Sequence, residues 1–282
     1  MNYIEKIIRN VNDLRTLPTI YSSISESMND PYNTLEKLAR VISFDQVSSF
    51  KILKVANSPF YGFRGKIDTI SEAVLHLGFN EIKNIVFALS ILKIFTKGKN
   101  IMNFRPVDLW AHSIGVGIAT RLVGEKIGEK ELENYFLAGI IHDIGKILFI
   151  EFLPEEYIKV LKYVQEKNCS VIDAETEILG INHCKAGYLL AEKWKLPVQL
   201  RDVIFFHHTG KNNGQFDRIT AAVHVADIFV KAMELGNTGD NLIPEPNFNV
   251  WEKLNLPEDF FPSILNKLKE NFSRNVRIML TG

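Results

Sequence analysis

Apolar residues return every three to four positions along most of this chain, a period that predicts helices nearly throughout. The clearest stretch is 80–96, where Ile82, Ile85, Val86, Leu89 and Leu92 form one stripe and Asn80 stands where an N-cap belongs. Shorter helices are expected over 18–29, 34–42 and 45–56, separated by "NDP" and ended by "NSPFYGFRG". The same period continues through 107–127, 131–150, 155–167, 183–194, 197–208 and 217–235. A Gly- and Pro-rich gap, "LGNTGDNLIPEP", then leads to a last amphipathic helix near 257–275, with Phe260, Ile264 and Leu268 at helical spacing.

No alternating strand pattern of useful length and no internal repeat interrupts this reading. The expected fold class is all-α, a helical bundle of two lobes. A break in "FTKGKNIMNFRP" divides it into an N-terminal helical lobe, 1–100, and a second lobe, 101–235, followed by a C-terminal loop and helix, 236–282.

Composition narrows the function classes. Apolar residues are 46% and charged residues 23%, as in soluble globular proteins. Lys plus Arg equals Asp plus Glu, 33 against 33, and no basic run occurs, so a nucleic-acid partner is not expected. The opening "MNYIEKIIRNVNDL" interleaves charges with apolar residues and does not read as a signal peptide. The longest apolar stretch, "NIVFALSILKIF", is too short for a bilayer, so no membrane role is expected and the cytoplasm is the expected location. Two cysteines, Cys169 and Cys184, supply neither a disulfide framework nor a four-thiolate site. Cys184 reads as a small buried side chain.

The chemistry concentrates in six of the seven histidines: His112, His142, His183, His207, His208 and His224. In "AGIIHDIGKILF" a His-Asp pair interrupts an apolar run, where burying it costs a few kcal/mol unless hydrogen bonds or a metal satisfy it. On one continuous helix His142 and Asp143 point about 100° apart, and Lys146 lies a turn beyond His142. A bland reading exists for each histidine alone: a core or supporting role for His76 and His224, a helix C-terminus for His207 and His208. The joint pattern, with a His or Asp delivered by five helical segments, points instead to a shared centre.

That order (His112, His142-Asp143, His183, His207-His208, Asp227) resembles the HD superfamily of metal-dependent phosphohydrolases, and "HDIGK" matches its central motif. The N-terminal half is similar to the HDOD family, the HD-related output domain of bacterial signalling proteins. Leu17-Pro18, "ANSPFYG", "EAVLHLG", "FLAGIIHDIG", "HCKAGYLLAEKWKLP" and "VIFFHH" carry that likeness over roughly 14–230. The resemblance implies an all-helical fold and a signal-transduction role, often without demonstrated catalysis.

It also implies a ligand set. His112, His142, Asp143 and Asp227 match the superfamily's core metal ligands, and His183, His207 and His208 match the extra ligands of its dinuclear members. The implied cofactor is a divalent metal, one or two ions of Fe, Mn, Ni or Zn. Were the chain an enzyme, Asp143 and Lys146 would be its catalytic pair, with Lys146 reaching phosphate oxygens. Asp108, one turn before His112, lies where some relatives carry a further acidic ligand. The Gly-Tyr-Pro element of cyclic di-GMP phosphodiesterases is missing, since "HHTGKNNGQFD" follows the His pair. The expected function is a regulatory module acting through a signalling protein partner or a nucleotide-type ligand. The alternative is a phosphohydrolase of a nucleotide or nucleotide second messenger.

Overall fold

The computed structural model describes residues 46–58, 61, 65–95, 100–102, 104–212 and 215–281, together with Tyr3, Lys6, Arg9 and Ile42. The helices expected over 18–29 and most of 34–42 lie outside the described residues. The fold is all-α, and strand structure among the described residues is confined to a hairpin, β1 (Lys211–Asn212) against β2 (Gln215–Phe216). Two compact units emerge, one comprising Met1–Leu14 and Phe95–Leu265, the other Arg15–Ile94 and Asn266–Gly282.

In the second of these, α1 (Gln46–Ala56) is followed by α2 (Ile70–Leu77) and α3 (Phe79–Phe95). Asn57, in the "NSPFYG" turn, is the staple between α1 and α2. Its side chain donates to Leu53 O and Ile67 O and accepts from Ile67 N, at 2.7–2.8 Å. Thr69 and Glu72 then form a capping box that starts α2. Helix α3 begins one residue before Asn80, so Asn80 lies inside the helix rather than capping it. His76, expected in the core or in support of a site, is exposed on α2. No single helix among the described residues is long and apolar enough to cross a membrane.

The other unit is built on α4 (Pro106–Lys126), which is buried on every face from Leu109 to Thr120. Helices α5 (Leu132–Ile141) and α11 (Arg218–Ala232) pack along it. Around them run α6 (Ile144–Phe152), α7 (Pro154–Lys167), α8 (Val171–Leu179), α9 (His183–Lys193) and α10 (Val198–Phe206). Helix α12 (Phe248–Leu254) belongs to this unit as well, and α13 (Phe260–Thr281) belongs to it up to Leu265 and to the unit of α1 and α2 from Asn266. Phe260, Ile264 and Leu268 are buried, as their spacing predicts, and the Phe261 ring stacks on Phe229 of α11 at 4.2 Å.

Close backbone approach positions the site. A Cβ on Gly139 of α5 would stand 2.6 Å from Gly117 Cα of α4, so only glycine lets these helices cross so tightly. A Cβ on Gly145 of α6 would stand 1.9 Å from His183 O at the start of α9. The two crossings draw the His142-Asp143 segment against both His112 and His183.

The single helix expected over 131–150 is two helices. It breaks at the His142-Asp143 pair, where Asp143 takes φ −97° and ψ 14°. Gly139 O gains the His142 imidazole as partner, at 2.7 Å from Nδ1, in place of a continuing helical amide. Lys146 therefore stands on the next helix and pairs with Asp143, not beside His142.

Candidate metal centre

Seven residues expected to form a centre converge in one cluster, buried except for the half-buried His208. His112 comes from α4, His142 and Asp143 from the α5–α6 break, His183 from the first turn of α9, and Asp227 from α11. His207 and His208 occupy the turn after α10. His112 Nε2 is 2.9 Å from Asp227 Oδ1, and His142 Nε2 lies 3.8 Å from the same oxygen and 3.5 Å from Asp143 Oδ2. Asp143 Oδ1 in turn lies 3.2 Å from His183 Nε2 and 3.6 Å from His207 Nε2. Asp143 thus stands between a His112–His142–Asp227 half and a His183–His207–His208 half.

The hydrogen bonds decide which ring nitrogens face inward. A carbonyl oxygen only accepts, so His142 Nδ1 donates to Gly139 O at 2.7 Å and His207 Nδ1 donates to Ile204 O at 3.0 Å. His183 Nδ1 donates to Glu175 Oε2 at 2.6 Å. Each bond leaves Nε2 directed at the cluster, as in histidines that ligate metals.

Three of the inward atoms, His142 Nε2, His207 Nε2 and Asp143 Oδ1, are buried with no hydrogen-bond partner. Two imidazole nitrogens, His183 Nε2 and His208 Nε2, stand 3.0 Å apart, a distance that calls for a proton or a cation between them. Orphaned buried donors and acceptors aimed at one point fit a divalent metal, and the donor set of imidazoles and carboxylates suits one.

The electrostatics agree for Asp143, Asp227, His207 and His208, whereas burial opposes charge on His142, and Asp143 nonetheless raises its pKa. Burial works against the Asp143 carboxylate, but Lys146, His142 and His183 outweigh it and hold its pKa well below the usual range. Asp227 is likewise held well below that range by His112 despite its burial. Burial, reinforced by His208 and His142, pushes His207 well below the ordinary histidine value, and His208 is lowered to about 3 by burial and by His183. Ionised carboxylates and neutral imidazoles are the forms that bind metal. His183 goes the other way: burial opposes its charge, but Glu175 leads the influences that push it up to about 10.

Lys146 Nζ sits 2.7 Å from Asp143 Oδ2 with only 2% of its side chain exposed. Asp108 is not brought to the cluster, because Arg105 holds its carboxylate in a two-pronged pair at 2.6 and 2.5 Å. His224 is a supporting residue. Its Nε2 accepts from Asn247 N at 3.1 Å, so its Nδ1 carries the proton and donates to His207 O at 2.9 Å. Cys184 is small and buried as expected, and its Sγ lies within 4.8 Å of ring nitrogens of His183, His207 and His208.

Sequence reasoning missed Glu175, which is fully buried and accepts from both His183 Nδ1 and His183 N, with Tyr157 Oη donating at 3.2 Å. It rides on α8, a helix also missed. The signals were present: Ser170 with Asp173 as an N-cap, and Val171, Ala174 and Leu179 on one face that Glu175 shares.

A cavity of about 260 Å³ opens onto the cluster, lined by Asp143, Lys146, His208, Asp227, Lys231 and Asp240 among others. The segment 236–247 lies along it. Asn237 N donates to Asp108 O, Asn247 is bound to His224 and to Thr209 O, and Asp240 accepts from Lys231 Nζ, Val171 N and Leu242 N.

An all-helical unit holding a buried His/Asp cluster defines the class. The chain belongs to the HDOD domain family, whose model matches residues 14–210. An HDOD domain protein of unknown function from Geobacter sulfurreducens has the same fold, with a TM-score of 0.79 at 26% identity and 97% of both chains covered. A Shewanella amazonensis SB2B protein, named provisionally as a phosphohydrolase, superposes with a TM-score of 0.72 at 19% identity over 97% of each chain. An uncharacterized protein of Treponema pallidum (strain Nichols) is 24% identical over 199 residues, covering 70% of this chain and 38% of that protein. The chain thus spans well under half the length of this curated relative.

Proposed function

We propose that this chain is a regulatory module of the HDOD type that holds a divalent metal and acts in the cytoplasm by binding a signalling protein partner or a nucleotide-type ligand. The observation that carries the metal is the convergence of His142 Nε2, His207 Nε2 and Asp143 Oδ1 as buried atoms without hydrogen-bond partners. His112, His142, Asp143 and Asp227 would hold one ion, and His183, His207 and His208, with Asp143 between, a second. Fe, Mn, Ni and Zn all suit these donors. When bound, such an ion supplies positive charge toward a phosphate group and acidifies water.

The chain's own residues do the rest. Glu175 fixes the His183 ring through Nδ1, and His224 fixes the carbonyl of His207. Lys146 offsets the charge of Asp143 in the metal-free protein. The cavity of about 260 Å³ falls below the roughly 300–1,000 Å³ of small-molecule pockets. It is large enough for a phosphate or a small phosphoester, and the 236–247 segment lines it. The missing Gly-Tyr-Pro element favours regulation over cyclic dinucleotide hydrolysis.

The second reading, hydrolysis of a phosphorylated nucleotide, is favoured by the ligand side chains Asp143, His208 and Asp227 facing the cavity. One experiment separates the readings. Metal content is measured by inductively coupled plasma mass spectrometry on protein purified without chelator or nickel resin, followed by turnover of a chromogenic phosphodiester. Near-stoichiometric metal without turnover supports the regulatory module. Turnover that follows metal content establishes the enzyme, and protein that neither carries nor takes up metal removes the metal reading.

A further inference from the structure

Two halves of the cluster differ in their donor atoms. On one side His112, His142 and Asp227 offer nitrogen and oxygen alone, with their donor atoms within 4.8 Å of one another. On the other, His183, Cys184, His207 and His208 meet the same limit and include a sulfur. Cys184 follows His183 in the first turn of α9 and is 4% exposed.

Beside that sulfur, His207 Nε2 is fully buried and has no hydrogen-bond partner, while His183 Nε2 and His208 Nε2 face each other at 3.0 Å. A neutral thiol is a weak donor and cannot satisfy these nitrogens. A proton shared between His183 and His208 accounts for the facing pair, but ordinary packing of a buried cysteine leaves the His207 Nε2 beside it without a partner.

We propose that Cys184 is a metal ligand, so that the two halves are chemically unequal. The His183–Cys184–His207–His208 half takes a thiophilic divalent ion of the zinc class. The His112–His142–Asp227 half takes a harder ion such as manganese or iron. Thiolate sulfur selects softer ions, whereas sites of imidazole and carboxylate discriminate poorly among Mn, Fe and Zn. On binding, the thiol proton leaves to solvent and the sulfur lone pair is given to the ion; nothing is oxidised or reduced. This inference rests on the metal-holding function proposed above and specifies which ion one half prefers.

The test is a titration of the full-length, metal-stripped chain with Co²⁺, read by absorption. Thiolate-to-cobalt charge transfer gives a near-ultraviolet band that nitrogen and oxygen ligands do not. The expected result is that band in the wild type and in C169S, and its loss in C184S and C184A. Those two variants should keep their helical circular dichroism and lose Zn²⁺ affinity by about 10-fold or more. Uptake of Co²⁺ with visible d–d bands but no charge-transfer band overturns the Cys184 assignment and leaves the metal centre standing. A band that persists in C184S and C184A overturns it as well. No uptake of Co²⁺ at all removes the metal-holding reading, and this inference with it.

Discussion

Glu175 Oε2 lies 2.6 Å from His183 Nδ1, with both side chains fully buried. The pair orients the imidazole so that Nε2 faces the cluster, and the same oxygen also accepts from His183 N at 2.8 Å. Partners of this kind behind a ligating histidine set its orientation and basicity. Glu175→Gln should therefore lower divalent-metal affinity by about 10–100-fold, and it should also destabilise the metal-free protein by leaving the buried His183 without its charged partner. Titration against a competing chelator measures it, and wild-type affinity in this variant would end the orienting role.

Because His142 Nε2 and His207 Nε2 have no hydrogen-bond partner in the protein, their loss should be felt mainly through the metal. His142→Ala combined with His207→Ala is expected to abolish stoichiometric metal binding while leaving the helical circular dichroism signal near that of the wild type. Retained metal in the double variant would refute the ligand assignment.

Lys146 contrasts with these histidines, since it is buried and paired with Asp143 at 2.7 Å. Breaking a buried ion pair by removing one partner leaves the other uncompensated and costs about 3–5 kcal/mol. Lys146→Met should show a loss of that size in urea denaturation of the metal-free protein. A loss under about 1 kcal/mol would mean that His142 and His183 already compensate Asp143.

Gly145 is a steric prediction. A Cβ there would meet His183 O at 1.9 Å and Gly187 N at 2.7 Å, both backbone atoms. Gly145→Ala should cost at least the 1–3 kcal/mol typical of overpacking, at about the upper end, and should weaken metal binding by displacing His183. The denaturation midpoint and a metal titration on the same sample measure the two effects.

Asp240 gives a dependence on pH. Burial raises its pKa, but Lys231 outweighs this and holds it below 3.8. A carboxyl with a folded pKa below its unfolded one contributes stability that is present above about pH 4 and lost as pH falls through the folded value. The wild type should therefore lose more stability than Asp240→Asn between about pH 5 and pH 3. Equal slopes in the two proteins would assign the acid sensitivity elsewhere.

Much of this protein was legible in its sequence, for a physical reason. Helical periodicity records burial on one face, and the α7, α9 and α11 boundaries lie close to those expected from it. The residue types His and Asp in apolar surroundings announced the cluster, because burying them demands a partner. What the linear pattern did not carry was backbone geometry. The break at His142-Asp143 lies between two close approaches, of Gly139 to Gly117 and of Gly145 to His183, residues far apart in sequence. The role of Glu175, though its helix left a signal, was missed for a related reason. Eight positions before His183 it reads as one more helix carboxyl, and only the packing of α8 in the fold brings it to that ring. The sequence by itself determined which donors are available and that they lie in helices. The tertiary structure decided which nitrogen of each ring points inward and which atoms are left without a partner, because both depend on hydrogen bonds between distant elements.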